Sequence, residues 1–216
     1  MTVTKQYFRD RREAGQVLAR DLAPFCGSDH VTVLGLARGG VPVGWEIARA
    51  LHVPLDVCLV RKLGVPQSPE LAMGAVAMGG GVVLNTDLVR SLGIGRDAVD
   101  EAVARETAEL RRREHAYRSG RGPLELAGRT VVLVDDGIAT GASMVAAVRS
   151  VRQMGAEHVI VGVPVGPGSV CRELRDESDA LVCSRTPTNF RAVGQAFEDF
   201  HQVSDDEVRA LLAAPR

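Results

Sequence analysis

The sequence predicts an α/β fold built on a mostly parallel, twisted sheet flanked by helices. Three observations predict it. Short apolar runs rich in β-branched residues alternate with longer segments of helical period. Those runs lack polar alternation, as strands covered on both faces do. The chain, with 216 residues and 45% hydrophobic content, has the length for one substantial core and fits a single domain (residues 1–216) better than two.

The elements follow in order. Residues 8–25 place Ala14, Leu18, Leu22 and Phe25 at spacings of three or four, the stripe of an amphipathic helix with a charged outer face. Residues 31–36 (Val-Thr-Val-Leu-Gly-Leu) read as a buried strand, followed by a helix over about 41–51. A second strand is predicted over 55–60. Residues 64–81 hold two prolines and five glycines among apolar residues, which reads as a long loop. Between 96 and 117, Val99, Val103, Glu106 and Leu110 mark one helical stripe, while Arg105, Arg111, Arg112 and Arg113 lie among acids on a solvated face. After a Gly/Pro cluster at 118–128 come a strand at 130–134, a helix over 141–154 stopped by Gly155, a strand at 158–163 and a weaker one near 180–183. The last helix starts at Ser204, whose spacing to Glu207 fits a capping box ahead of Val208, Leu211 and Leu212.

Composition excludes several function classes. A formal net charge of -1 provides no global basic field, so binding nucleic acid through phosphate neutralisation is disfavoured. No signal-peptide core and no apolar run near the roughly 20 residues that cross a bilayer is seen, so the chain reads as cytoplasmic with no membrane partner. Cys26, Cys58, Cys171 and Cys183 are scattered without zinc-ligand spacing and read as ordinary thiols. No Gly-x-Gly-x-x-Gly opens a helix after Leu36 or Val134, and no Gly-Lys-Ser/Thr occurs at P-loop spacing.

The strongest chemical signal is Val131-Val132-Leu133-Val134-Asp135-Asp136-Gly137-Ile138-Ala139-Thr140-Gly141-Ala142-Ser143. It combines a buried strand, two acids at its carboxyl end, a tight loop and a helix. Ligands of open α/β sheets bind where strands end at their carboxyl side, so Asp135 and Asp136 emerge at the crevice and can accept from ribose hydroxyls. The amides from Gly137 to Gly141 can wrap a phosphate, helped by the Thr140 and Ser143 hydroxyls and the positive end of the following helix. A bland alternative makes either acid a simple helix cap.

This string resembles the 5-phosphoribosyl 1-pyrophosphate (PRPP) binding motif of type I phosphoribosyltransferases, with no gap and no missing hydroxyl. Ala37-Arg38-Gly39-Gly40, after the first strand, resembles the family's pyrophosphate loop, which often holds a cis non-proline peptide. Arg61-Lys62, after the second strand, is placed by the resemblance at the departing diphosphate. The residues that follow resemble a flexible lid, about 62–81, which would exclude water from an activated sugar. The resemblance thus implies a core over about 26–165, that lid, and a small hood made from the N-terminal and C-terminal segments.

Within the family, Arg61-Lys62, Leu71-Ala72-Met73-Gly74 and Ala139 resemble adenine phosphoribosyltransferases. The loop glutamate of those enzymes falls near Met78, and the acid of hypoxanthine-type enzymes falls at Ala139, so the acceptor's proton handler is not identified. Glu70 is the nearest loop carboxylate and reads as solvated or salt-bridged. Residues 186–200 loosely resemble the hood of hypoxanthine-guanine enzymes, with Phe190 positioned to stack on a base. The whole chain resembles bacterial phosphoribosyltransferase-domain proteins of no assigned acceptor.

The activity implied is transfer of 5-phosphoribosyl from PRPP to a nitrogenous small-molecule acceptor with release of diphosphate. Asp135 and Asp136 would hold the ribose, and Arg38, Arg61 and Lys62 would neutralise diphosphate. Mg²⁺ would arrive with PRPP, with Asp135 and Asp136 as candidate protein contacts and no protein-only cage. A homodimer is implied as well. The rival reading is a sensor that binds PRPP without turnover.

Overall fold

The computed structural model of the chain describes residues 7–25 and 30–214. Cys26 lies outside the described residues, as does the side chain of Glu70. Five parallel strands form the central sheet: β1 (Val31–Leu36), β2 (Leu55–Cys58), β6 (Thr130–Val134), β7 (His158–Val165) and β8 (Ala180–Arg185). They lie in the order β2-β1-β6-β7-β8. Residues 31–36 and 131–134 are buried throughout, as the unbroken apolar runs require. The helices on its faces include α1 (Arg11–Leu22), α2 (Gly40–Leu51), α5 (Ala142–Gln153) and α6 (Gly168–Glu177).

The chain leaves β1 toward one edge of the sheet and continues from β6 toward the other. The carboxyl ends of β1 and β6 therefore meet at the topological switch point, where α/β sheets open a crevice for ligands. This ordering brings the loops after Leu36 and Val134 side by side.

A second, antiparallel sheet differs from the sequence reading. It consists of β3 (Val60–Val65), β4 (Ser68–Ala77) and β5 (Val82–Leu84), in the order β3-β4-β5. Residues expected to form one strand over 55–60 split between the two sheets. The expected lid is mostly strand: Met73 and Ala75 are fully buried and Met78 is 5% exposed. Glycine serves close packing and turns here rather than an open loop. A Cβ on Gly74 would lie 2.2 Å from the Val83 carbonyl oxygen, and Gly79 and Gly80 take φ of 79° and 94°.

On the remaining chain, α3 (Thr86–Ser91) leads into α4 (Arg96–Arg118), which buries Val99, Glu106 and Leu110 and exposes Arg111 and Arg112. Glu109 accepts hydrogen bonds from Arg112 and Arg113, which fits the solvated face expected of that arginine run. In α1, Ala14, Leu18 and Leu22 are fully buried, but Phe25 falls in a short turn after the helix and is 47% exposed. The capping box at Ser204 forms and starts α7 (Asp205–Ala213). The two terminal segments pair with each other: Phe8 bridges Phe197, the Phe8 amide donates to Ala196 and the Asp199 amide to Arg9. Among the described residues, no helix is long and apolar enough to cross a membrane.

Candidate active site

The site starts from β6, whose buried valines and leucine deliver Asp135 and Asp136 to the crevice. Asp135 Oδ1 accepts the Asp136 amide at 2.8 Å. Asp136 Oδ2 accepts Nε of Arg11 at 2.8 Å, within a pair whose side chains are 13% and 8% exposed. Each acid thus has one oxygen committed within the protein. Burial, and then the charge of Asp136, push the Asp135 carboxyl well above the usual range. Asp136 is also raised by burial, with Arg11 pulling the other way.

The loop after β1 packs directly on this pair. A Cβ on Gly39 would lie 2.0 Å from Asp136 Oδ2, and one on Gly40 would lie 2.3 Å from the Val134 carbonyl oxygen. Gly39 has ordinary helical φ of -62°, so space rather than backbone conformation excludes a side chain there. The Ala37–Arg38 peptide is cis, and the Ala37 amide donates to the Cys58 carbonyl at 3.0 Å. Arg38 Nη1 lies 3.5 Å from Asp205 Oδ1, which also accepts the Tyr117 hydroxyl at 2.5 Å. Burial and this hydrogen bond push the Tyr117 phenol up to about 12.

On the other side, Gly141 caps α5 in the left-handed conformation without a side-chain cap. The first-turn amides of α5 therefore face the loop, together with the positive end of the helix. Ala139 and Thr140 are exposed, Ala142 and Ser143 are half-buried, and Gly137 is buried against Val165 and Val193. Ile138 differs: its amide donates to Val165 and its side chain is buried, so it supports the loop from behind.

Two crevice loops, two partly buried acids and a helix start without a side-chain cap agree with an independent comparison. A family model described as the phosphoribosyl transferase domain matches residues 14–200. The chain belongs to that family. Over 205 residues it is 48% identical to a Mycobacterium tuberculosis protein provisionally named as a phosphoribosyl transferase, covering 95% of this chain and 46% of that protein. The chain thus spans about half the length of the curated relatives it matches. The crystal structure of TT1426 from Thermus thermophilus superposes with a TM-score of 0.81 at 45% identity, covering 95% of this chain and 97% of that one. AQ2163 from Aquifex aeolicus, at 10% identity and a TM-score of 0.52 over 94% of this chain and 83% of its own, shares the fold.

In this phosphoribosyl transferase domain the predicted cations are not all gathered at the acids. Arg61 and Lys62 lie on β3, and Arg61 donates Nε to Glu106 Oε2 of α4 at 2.8 Å. Both line a cleft of about 580 Å³ against α4 rather than the crevice of Asp135 and Asp136. No described hydrogen bond or ion pair joins either to those acids, because the chain enters the second sheet after Cys58. Phe190 is half-buried and packs on the cluster of Phe8, Val165, Ala196 and Phe197. That cluster reaches the loop after β6 through Val165 and Val193, which abut Gly137.

Sequence reasoning missed Arg11, Tyr117 and Asp205. Each meets its partner across the fold: Arg11 and Asp136 stand 125 positions apart, and Tyr117 and Asp205 stand 88 apart. Arg11 sits in a strongly charged stretch at the start of a helix, with no local sign of its role.

Proposed function

We propose that the protein transfers the 5-phosphoribosyl group of PRPP to a nitrogenous acceptor, releasing diphosphate. The observation that carries this reading is the pair Asp135 and Asp136, each with one oxygen held internally, at the meeting point of the two crevice loops. Two adjacent carboxylates with one oxygen each left to accept suit the vicinal hydroxyls of a ribose. Gly137, Thr140, Gly141, Ala142 and Ser143 take the 5-phosphate at the start of α5. Ala37, Arg38, Gly39 and Gly40 take the diphosphate, with Arg38 exchanging Asp205 for diphosphate oxygens.

In the reaction the acceptor nitrogen attacks the anomeric carbon as its bond to diphosphate breaks, and that bonding pair leaves with the diphosphate. Asp135 and Asp136 stand beside the positive charge that develops on the sugar, so preorganised electrostatics contributes more than proton transfer. The hood's Phe190 lies on the acceptor side and stacks on a planar base. Arg61 reaches diphosphate only once it leaves Glu106.

The residues present fit Mg²⁺ as a companion of PRPP. Asp135 and Asp136 offer hard carboxylate oxygens at the crevice, and Mg²⁺ commonly keeps waters and substrate oxygens as its other ligands. Asp135 and Asp136 would be its protein neighbours, and when bound it supplies charge neutralisation for the departing diphosphate.

The test is a panel of purines, pyrimidines and other nitrogen acceptors with PRPP and Mg²⁺, scored by diphosphate release. Release with at least one acceptor is expected. PRPP binding without release across the panel would instead identify a sensor, a reading favoured by Met78, which can transfer no proton, standing near where the resemblance to adenine phosphoribosyltransferases puts a loop glutamate.

A further inference from the structure

Arg11 has three attachments to parts of the chain far from it in sequence. Its Nε donates to Asp136 Oδ2 at 2.8 Å and its Nη1 donates to the His201 carbonyl at 2.8 Å. Its guanidinium carbon lies 3.9 Å from the centre of the Phe200 ring. The residue is 7% exposed, so these contacts form out of water, where charge-assisted bonds are strong. The start of α1, the donor loop and the C-terminal segment meet at one guanidinium.

The consequence for Asp136 is geometric. Arg11 holds Oδ2, and Gly39 lies beside the same oxygen, where a Cβ would come within 2.0 Å. The carboxylate is therefore held by the guanidinium, with no room beside it for a side chain on the loop after β1. Only Oδ1 is left to meet a ligand hydroxyl. A rotated Asp136 would lose the Arg11 bond and turn Oδ2 away from Gly39.

We infer that Arg11 is a positioning residue of the donor site, fixing Asp136 for the ribose and tying the C-terminal segment at Phe200 and His201 to donor binding. The inference rests on the PRPP reading above. It requires a fork and not only a charge. Nε and Nη1 donate to two different acceptors at once, while the planar face stacks on Phe200. A lysine ammonium offers a single point charge and no plane.

The experiment is calorimetric titration of PRPP in MgCl₂ into wild-type protein and the variants Arg11→Lys, Arg11→Ala and Phe200→Leu, each first shown to melt cooperatively. Arg11→Ala is expected to weaken PRPP binding by at least about tenfold, the loss for one charge-assisted bond. Arg11→Lys retains charge and is expected to remain severalfold weaker than wild type. Methylguanidinium at millimolar concentration should restore binding to Arg11→Ala and leave wild type unchanged, which a merely structural role does not predict. Phe200→Leu removes the aromatic face under Arg11, together with its stack on Phe197, while keeping an apolar side chain, and should cost about two- to fivefold. It keeps the test available should Arg11→Ala fail to fold. Wild-type affinity in folded Arg11 variants, or an unchanged Phe200→Leu alongside an unfolded Arg11→Ala, overturns this inference and leaves the PRPP reading standing. Absence of PRPP binding by the wild-type protein overturns both.

Discussion

Replacing Gly39 with alanine isolates steric contact from backbone conformation. The native φ and ψ of -62° and -31° suit alanine, and removing glycine from a helical conformation is worth about 0.5–1 kcal/mol in its favour. Against that, the new Cβ would sit 2.0 Å from Asp136 Oδ2 and 2.5 Å from its Cγ. Ordinary contact requires the carboxylate to retreat by more than about an ångström, which breaks the 2.8 Å bond to Arg11. Losing that charge-assisted bond costs about 1.5–3 kcal/mol. The net expectation is a destabilisation of about 1–2 kcal/mol, or a fall in Tm of roughly 2–8 °C for a chain of this size. With Asp136 displaced, PRPP affinity should fall about tenfold or more, since each 1.4 kcal/mol is a factor of ten. Calorimetry and denaturant melts measure both quantities. Gly122→Ala serves as the control, because nothing lies within 4 Å of its Cβ position. Gly39→Ala with wild-type affinity and wild-type stability would refute the steric argument and the placement of Asp136 with it.

Other consequences concern charge. Asp135 has its folded pKa raised by burial and by Asp136, so the folded state favours its protonated form; that contribution is present below the ordinary carboxylate range and is lost as pH rises through the folded value. Asp135→Asn should therefore raise the Tm of the donor-free protein at neutral pH while abolishing PRPP binding; a fall in Tm would contradict the burial argument. Tyr117, pushed up to about 12 by burial and Asp205, contributes stability that is full below about pH 10, the ordinary phenol value, and lost as pH rises toward 12. Tyr117→Phe should flatten the stability profile across that alkaline window, as read by denaturant titration at stepped pH. Asp205→Asn removes a partly exposed partner of Arg38, 3.5 Å away, and should strengthen PRPP binding by up to about fivefold, the range of exposed ion pairs. Weaker binding would mean that Asp205 orients Arg38 rather than competing for it.

What the sequence made legible was local. The run from Val131 to Ser143 contains its strand, its acids, its turn and its helix in one stretch, so periodicity and residue chemistry suffice to place it. Ala37 to Gly40 was legible for the same reason, and the parallel sheet order then set the two loops beside each other. Residues 64–81 misled because glycine and proline commonly mark loops. There, Gly74 allows a close strand approach and Gly79 and Gly80 make a turn, while the apolar residues between them are buried. The split of residues 55–60 into two sheets depends on pairing partners outside that run, since β2 pairs with β1, which precedes it across α2, and β3 pairs with β4 across a tight turn. Arg61 looked available next to the crevice, but its partner Glu106 lies on a helix 45 positions later. Glu106 fits the apolar stripe of α4 because it is buried, and it is buried with Arg61 as its counter-charge. Arg11 and Asp205 acquire their places only when the terminal segments fold over the crevice.

The central claim is that Asp135 and Asp136 hold the ribose of PRPP. Calorimetric titration of PRPP with Mg²⁺ into wild-type protein and into the double variant Asp135→Asn with Asp136→Asn tests it most directly. Saturable binding by the wild type, and its loss in a double variant that still melts cooperatively, is the predicted result. Equal affinity in the two proteins would contradict the assignment of the site.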